Sequence, residues 1–399
     1  ANSEFEKGRA LSVPVVKVPR SVKEWLCIDR AYENGNFKIE PMTGEAMYDQ
    51  SYMFEDINYV NKDTAKKDST LLEIMTLLKS LDGPFKITLA NEQRDLDSFV
   101  NEIFNPINGQ EYPVIEKGIG KWINQKIDEG TRDIRKTMIL TVTCRAHSLE
   151  EAEAYFATID TTLSNIFRNL RSRIYKMSAE ERMVLLSRML RAGEECLPPA
   201  RISPHDSGWK NQILPASIQS NTDYMVINNK QYISVLVGTA FGQSLSEDKV
   251  IHSLSDVLFP TYITIDMQRV PKNVIHDRLE NAHANNERVI AQERTRNYNN
   301  KQFGATTSYS LTKKKTSLED DMDQLDENDE EGVFLGLLVL VYADSLEELT
   351  QRVDILKQKA KGSSYELEPY YHRQLKALNT VLPIGGRQVN HMRFLYTSS

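Results

Sequence analysis

The chain has 399 residues, long for one domain and comfortable for two. Apolar residues make up 40% and charged residues 26%, the composition of a soluble globular protein with a sizeable core. The formal charge of −7 argues against a free-standing nucleic-acid binder, which carries a basic excess, and leaves only local basic patches open.

Residues 11–16 alternate weakly, as in an edge strand. Trp25 to Asp29 and Asn36 to Ile39 flank Asn34-Gly35, a favoured hairpin turn. Tyr48 to Ile57 extends that sheet. A helix is expected from Thr64 to Leu81, ended by Gly83-Pro84, followed by a strand from Phe85 to Ala90. Leu96 to Phe104 and Ile115 to Ile127 read as short helices, and Thr137 to Ala146 as a strong strand. Ser148 with Glu151 gives the capping-box pattern, and the stripe Ala152, Phe156, Ile159, Leu163, Ile166 follows it at helical spacing. A second helix spans Ser178 to Arg191.

Four prolines within 197–222 mark a linker. Beyond it, Tyr224 to Ile227 and Tyr232 to Val237 flank Asn228-Asn229 as a second hairpin. Lys249 to Val257 reads as a helix, Thr261 to Ile265 as a strand, and Pro271 to Arg296 as a long polar helix. Residues 297–315 read as a polar loop, and 316–331 as an acidic loop. The strand Val333 to Ala343, a helix from Ser345 to Ala360, a short helix from Gln374 to Asn379 and a strand from Arg393 to Tyr396 close the chain.

The second half replays the first. At an offset of 176, Ile87-Thr88-Leu89 meets Ile263-Thr264-Ile265. At an offset of 197, Leu140, Val142, Cys144 and Ala146 meet Leu337, Val339, Val341 and Ala343, and Ser148-Leu149-Glu150-Glu151 meets Ser345-Leu346-Glu347-Glu348. The offsets differ by 21, so the second copy has the longer middle. The expected fold is α+β: two tandem split β-α-β units with ferredoxin-like sheets and helices on one face, preceded by an N-terminal β-hairpin region. The boundaries are 1–60 for the N-terminal strands, 61–196 for the first unit, 197–222 for the linker, and 223–399 for the second unit. That unit is enlarged by the long helix 271–296 and the acidic loop 316–331.

Chemical signatures are missing. Cys27, Cys144 and Cys196 form no CxxC pair, which fits a reducing compartment. No run of about 18 apolar residues would span a membrane, and no signal peptide opens the chain. Ala1 and Ser399 read as cuts in a longer protein. The phosphate-cradling pattern Gly-x4-Gly-Lys-Ser/Thr is absent; Gly118-Ile119-Gly120-Lys121 and Gly385-Gly386-Arg387-Gln388 both fail it. Asp344 ends an apolar strand before a cap. Gly242 to Ser246 fails the hydrolase elbow. His276 and His283 read as surface histidines seven apart, and the run Asp326 to Gly332 fails the calcium-loop spacing. Mixed charge from Arg269 to Arg296 indicates an exposed, ion-paired helix. No catalytic, cofactor-binding or metal-binding residue is assigned.

Several segments are familiar. Trp25 to Gly35, Tyr52 to Asn58, Gly120 to Gln125, Asn281 to Arg288, Arg373 to Pro383 and Gly385 to Gln388 resemble the large ATPases of type IV secretion and conjugative transfer, the CagE/TrbE/VirB group, in its Gram-positive mobile-element form. The resemblance covers nearly the whole chain. In that family a RecA-like ATPase core follows the segment matching Leu382 to Ser399. The resemblance therefore implies the non-catalytic N-terminal half, a docking and assembly domain at the cytoplasmic face of the cell membrane. Its implied partners are inner-membrane channel components and its own ATPase domain, with self-association and nucleic-acid contact left open. ATP and magnesium are expected only in the C-terminal domain. The alternative is a module that handles single-stranded nucleic acid.

Overall fold

The computed structural model describes residues 22–40, 46–54, 80–81, 83–93, 134–191, 202, 205, 207–241, 254–270, 272–300, 307–327, 332–363, 365–389 and 392–396. The edge strand at 11–16, the helices at 96–104 and 115–127, and most of the helices at 64–81 and 249–257 fall outside these residues.

The chain is mixed α+β and built on one large antiparallel sheet. In chain order the first half supplies α1 (Val22–Trp25), β1 (Ile28–Ala31), β2 (Phe37–Ile39), β3 (Met47–Phe54), β4 (Phe85–Gln93), β5 (Ile134–Arg145), α2 (Leu149–Asn169), β6 (Ile174–Lys176) and α3 (Ala179–Leu190). The second half supplies α4 (Lys210–Ile213), β7 (Ile218–Ser220), β8 (Met225–Ile227), β9 (Gln231–Phe241), β10 (Thr261–Val270), α5 (Lys272–Asn299), α6 (Tyr309–Glu327), β11 (Gly332–Ala343), α7 (Leu346–Gly362), β12 (Tyr365–Pro369), α8 (Gln374–Val381) and β13 (Arg393–Tyr396). The strands lie in the order β1-β2-β3-β5-β4-β10-β11-β9-β8-β7. In addition β6 pairs with β3, β12 with β9, and β13 with β11.

The two halves meet at β4 and β10, where Thr88 lies opposite Thr264 and Ile87 opposite Ile265. The offset of 176 carries Thr88 onto Thr264, so this residue faces its own counterpart, while Ile87 faces the counterpart of Leu89 and Leu89 that of Ile87. A local two-fold axis runs through the threonine pair. The symmetry slips farther out. Ile87 pairs with Leu140, and the offsets carry that pair to Ile263 and Leu337, but Ile263 pairs with Val339. A slide of two residues keeps every side chain on its original face, so both cores survive it.

The repeated caps form alike. Ser148 Oγ accepts the Glu151 N–H at 3.3 Å, and Ser345 Oγ accepts the Glu348 N–H at 3.1 Å. The returning carboxylates take the N–H of the residue before the cap, His147 at 2.8 Å and Asp344 at 3.1 Å. Ser178 and Glu181 complete a full capping box on α3. In the second hairpin Asn228 and Asn229 hold φ of 51° and 56°, the left-handed pair a tight two-residue turn requires.

Helices cover both faces of the sheet, not one. On one face Leu140, Val142 and Cys144 pack on Phe156, Ile159 and Leu163 of α2, while Val339 and Val341 pack on Leu349 and Leu356 of α7. On the other, Leu338, Leu340 and Tyr342 pack with α3 and α8. The cause is in β11: its apolar run does not alternate, so each face must be covered. The 197–222 stretch is also more than a linker. Ile202, Trp209, Ile213 and Leu214 are buried in the same cluster, and Trp209 stacks on Phe37 with centroids 6.1 Å apart.

The polar loop at 297–315 and the acidic loop at 316–331 are corrected as well. Tyr309–Glu327 is helical, and α5 and α6 form an antiparallel helical hairpin between β10 and β11. No Gly or Pro interrupts 309–327, and Leu, Lys, Glu and Met there favour a helix. Cross-helix bonds fix the pairing: Lys315 Nζ to Glu287 Oε1 at 2.5 Å, Asn286 Nδ2 to the Leu311 carbonyl at 3.1 Å, and the Ser308 N–H to Glu293 Oε2 at 3.1 Å. The base of the arm is held where Ile275 and Leu279 pack on Val270 and Phe334. At 1.5 Å per residue the 28 residues of α5 run about 42 Å.

Thr264 Oγ1 donates to the Val381 carbonyl at 2.6 Å, so the 3.1 Å bond between the two threonines uses the Thr88 proton. Thr264→Val orphans both the buried carbonyl and the Thr88 hydroxyl, whereas Thr88→Val removes one bond. Urea unfolding is expected to show a loss of about 2–4 kcal/mol for the first and about 1 kcal/mol for the second. Equal losses would contradict this direction of donation.

Candidate functional site

The most elaborate polar arrangement among the described residues surrounds the segment after α8. Pro383 stops that helix, leaving Leu382 extended at φ −63°, ψ 146°. The chain then runs as Ile384-Gly385-Gly386-Arg387-Gln388 across the sheet face at the junction of the two halves. Close approach demands both glycines. A Cβ on Gly385 would lie 2.7 Å from Thr143 Oγ1, and one on Gly386 would lie 2.9 Å from the Cys27 Cβ.

Lys86, on β4, reaches up from the sheet. Its Nζ donates to the carbonyls of Thr380 at 2.7 Å, Gly386 at 2.5 Å and Leu382 at 3.4 Å. The cation thus caps the C-terminal end of α8, where carbonyls lack helical partners and the helix dipole is negative. Burial lowers the Lys86 pKa to about 8, opposed chiefly by the nearby Asp266.

Two arginines tie the segment to opposite halves, Arg387 from within it and Arg182 from outside. Arg387 forks Asp266 on β10 at 2.6 and 2.5 Å and donates to Gln268 Oε1 at 2.7 Å. Arg182, on α3, is fully buried and pairs with Asp49 on β3 at 2.8 Å. It also donates to the carbonyls of Gly35 at 2.8 Å and Pro383 at 3.4 Å, and stacks 3.8 Å over the Phe37 ring. Asp49 in turn accepts the Gly385 N–H. Burial pushes the Asp49 carboxyl up from its ordinary value, opposed by Arg182, and pushes Arg182 down, opposed by Asp49.

The N-terminal hairpin is tied to the same place. Asn379 bridges the Trp25 carbonyl at 2.9 Å and the Cys27 N–H at 3.2 Å. The Trp25 indole donates to the Leu375 carbonyl at 3.1 Å, and Gln388 Nε2 lies 3.0 Å from Cys27 Sγ. Burial raises the Cys27 thiol to about 11, so at neutral pH it is a protonated, packed side chain and not a nucleophile. The donors of Lys86, Arg182 and Arg387 are directed at carbonyls and carboxylates of the chain itself. The arrangement is a clamp that holds residues 380–388 to both halves.

The residues read from sequence fall elsewhere. Gly118 to Lys121 and Gly242 to Ser246 lie outside the described residues. Asp344 precedes a helix cap, in agreement with the sequence pattern. His276 and His283 sit on α5, where His283 lies 3.3 Å from Glu319 and the ligand atoms of His276, Asp277 and Glu280 lie within 4.8 Å of one another. That trio is on the partly exposed surface of one helix. Two open depressions lie among the described residues, one lined by Ser220 to Tyr224 with His372 and another lined by residues of 288–300. Of the clamp, sequence reasoning singles out Trp25 to Gly35, Arg373 to Pro383 and Gly385 to Gln388, as segments and not for their chemistry. It passes over Lys86, Asp49, Arg182 and Asp266; the available signal was a charged residue between apolar ones in a strand for Lys86 and Asp266, and an arginine beside the apolar stripe of a helix for Arg182.

Lys86 yields a pH prediction. Between about pH 8 and 10.5 the folded lysine is neutral while the unfolded chain still holds the proton. Its contribution to stability therefore rises as pH climbs through that window and is lowest below pH 8. The stability gap between wild type and Lys86→Met is expected to move in favour of wild type by about 2 kcal/mol from pH 8 to pH 10 in urea unfolding. A flat gap would assign Lys86 an ordinary pKa.

Among the described residues, no helix is long and apolar enough to cross a membrane. A comparison with protein-family models matches none of them, and a comparison with curated proteins finds no relative.

Proposed function

We propose that this chain is the docking and assembly half of a type IV secretion or conjugative-transfer ATPase, made of two tandem split β-α-β units. One observation carries this reading. Three of the segments that resemble that family, Trp25 to Gly35, Arg373 to Pro383 and Gly385 to Gln388, bond to one another in a single clamp across up to 361 positions, as between Trp25 and Leu375 and between Cys27 and Gln388. The strand orders support the duplication: β4-β5-β3-β6 in one half matches β10-β11-β9-β12 in the other, each with a strand between two like-directed neighbours.

On this reading the clamp fixes the segment after which the family's ATPase core follows. A rigid clamp would hold that core in a set orientation to the rest of the chain. The sheet and its arm would tether the motor to inner-membrane channel components at the cytoplasmic face, raising its local concentration there. ATP and magnesium chemistry would belong to the core, and this chain would position it.

The test has two arms. The purified chain is expected to hydrolyse no magnesium-ATP above background, and to co-purify with inner-membrane components of its own transfer system when both are expressed together. Turnover by the chain would overturn the non-catalytic assignment. Failure to retain any channel component would overturn the docking assignment.

A further inference from the structure

The α5–α6 arm is electrically polarised along its length. Toward its tip, residues 288–299 and 307–315 carry Arg288, Arg294, Arg296, Lys313, Lys314 and Lys315 against one carboxylate, Glu293. Toward its base, residues 272–287 and 316–327 carry nine carboxylates against Lys272 and Arg278. The division falls where Lys315 meets Glu287 and Glu319. The cations beyond it are exposed, and Tyr298 and Tyr309 at the tip are 69% and 81% exposed.

We propose that the tip of this arm is a docking surface for an anionic lipid bilayer. This rests on the reading that the chain works at a membrane and adds which part of it touches lipid. The charge pattern selects the partner's shape. A nucleic-acid strand needs a cationic groove along which to run, and a strand following this arm would run onto the acidic base about 18 Å from the tip, the 12 residues from Asn299 to Glu287 at 1.5 Å each. A flat anionic surface meets only the tip and repels the base, so the arm orients end-on. Lysine and arginine are drawn to anionic headgroups, and exposed tyrosines suit the headgroup layer, with an apolar ring and a polar hydroxyl. The chain's net charge of −7 opposes this only through carboxylates within about one Debye length of the lipid surface, ~10 Å at 0.1 M salt.

The test is co-sedimentation of the full chain with vesicles of 30% phosphatidylglycerol in phosphatidylcholine, beside vesicles of phosphatidylcholine alone, at low and at 0.5 M salt. The chain is expected to bind the anionic vesicles at low salt, to leave them at high salt, and to ignore the neutral ones. Arg294→Glu, Arg296→Glu, Lys313→Glu and Lys314→Glu combined are expected to cut partitioning tenfold or more. The control pair Lys230→Glu and Lys361→Glu, exposed cations off the arm, is expected to leave it unchanged. Circular dichroism melting of each variant checks that the fold is retained. Absence of binding to anionic vesicles would overturn the proposal, as would equal loss in the control pair. So would a single-stranded oligonucleotide bound through these four residues in place of lipid. None of these outcomes touches the co-purification test above, since docking through protein contacts does not need a lipid-binding tip.

Discussion

The structure depends on the antiparallel contact between β4 and β10. Each strand belongs to a different half, and their register places a residue opposite its own repeat at Thr88 and Thr264. A contact of this kind joins the two halves edge to edge and leaves one continuous sheet. It also creates a site neither unit has alone, since Lys86 and Asp266 lie opposite each other across it. Both are buried, and the C-terminal segment of the chain supplies what they need. Carbonyls of residues 380–386 surround the ammonium, and Arg387 neutralises the carboxylate.

The ionic arrangement is costly to desolvate, and its value lies in specificity of placement more than in net stability. Removing one partner leaves a charge buried without compensation. The segment is thereby confined to a single path: the glycines at 385 and 386 allow no side chain between it and the sheet, and Arg182 holds Asp49 and the Pro383 carbonyl from the far side. An element threaded between both halves transmits the position of each to whatever follows it. The arm stands at the other extreme. Beyond its first two turns α5 is held mainly by α6, and its charges serve the surroundings more than the core.

Much of the secondary structure was legible in the sequence. The stripe from Ala152 to Ile166 and the cap at Ser148 specify α2 locally, because helix periodicity and capping involve neighbours along the chain. The hairpins at Asn34-Gly35 and Asn228-Asn229 and the strands that follow Pro84 and Pro260 were readable for the same reason. Helix α6 was not legible because its polar, ion-paired sequence resembles a loop until α5 lies beside it. The short strands β6 and β12 were not legible because three to five residues carry too little period.

The sequence by itself determined the repeat, the caps and the apolar faces, since each is a matter of spacing along the chain. Only the tertiary structure decided that the polar face of β4 is interior. Phe85, Ile87 and Leu89 alternate with Lys86, Thr88 and Ala90, the pattern of a strand with one wet side. That side becomes buried when residues 380–388 cross it some 300 positions later in the chain. No local rule encodes that contact, because its partners meet only after both halves have joined one sheet.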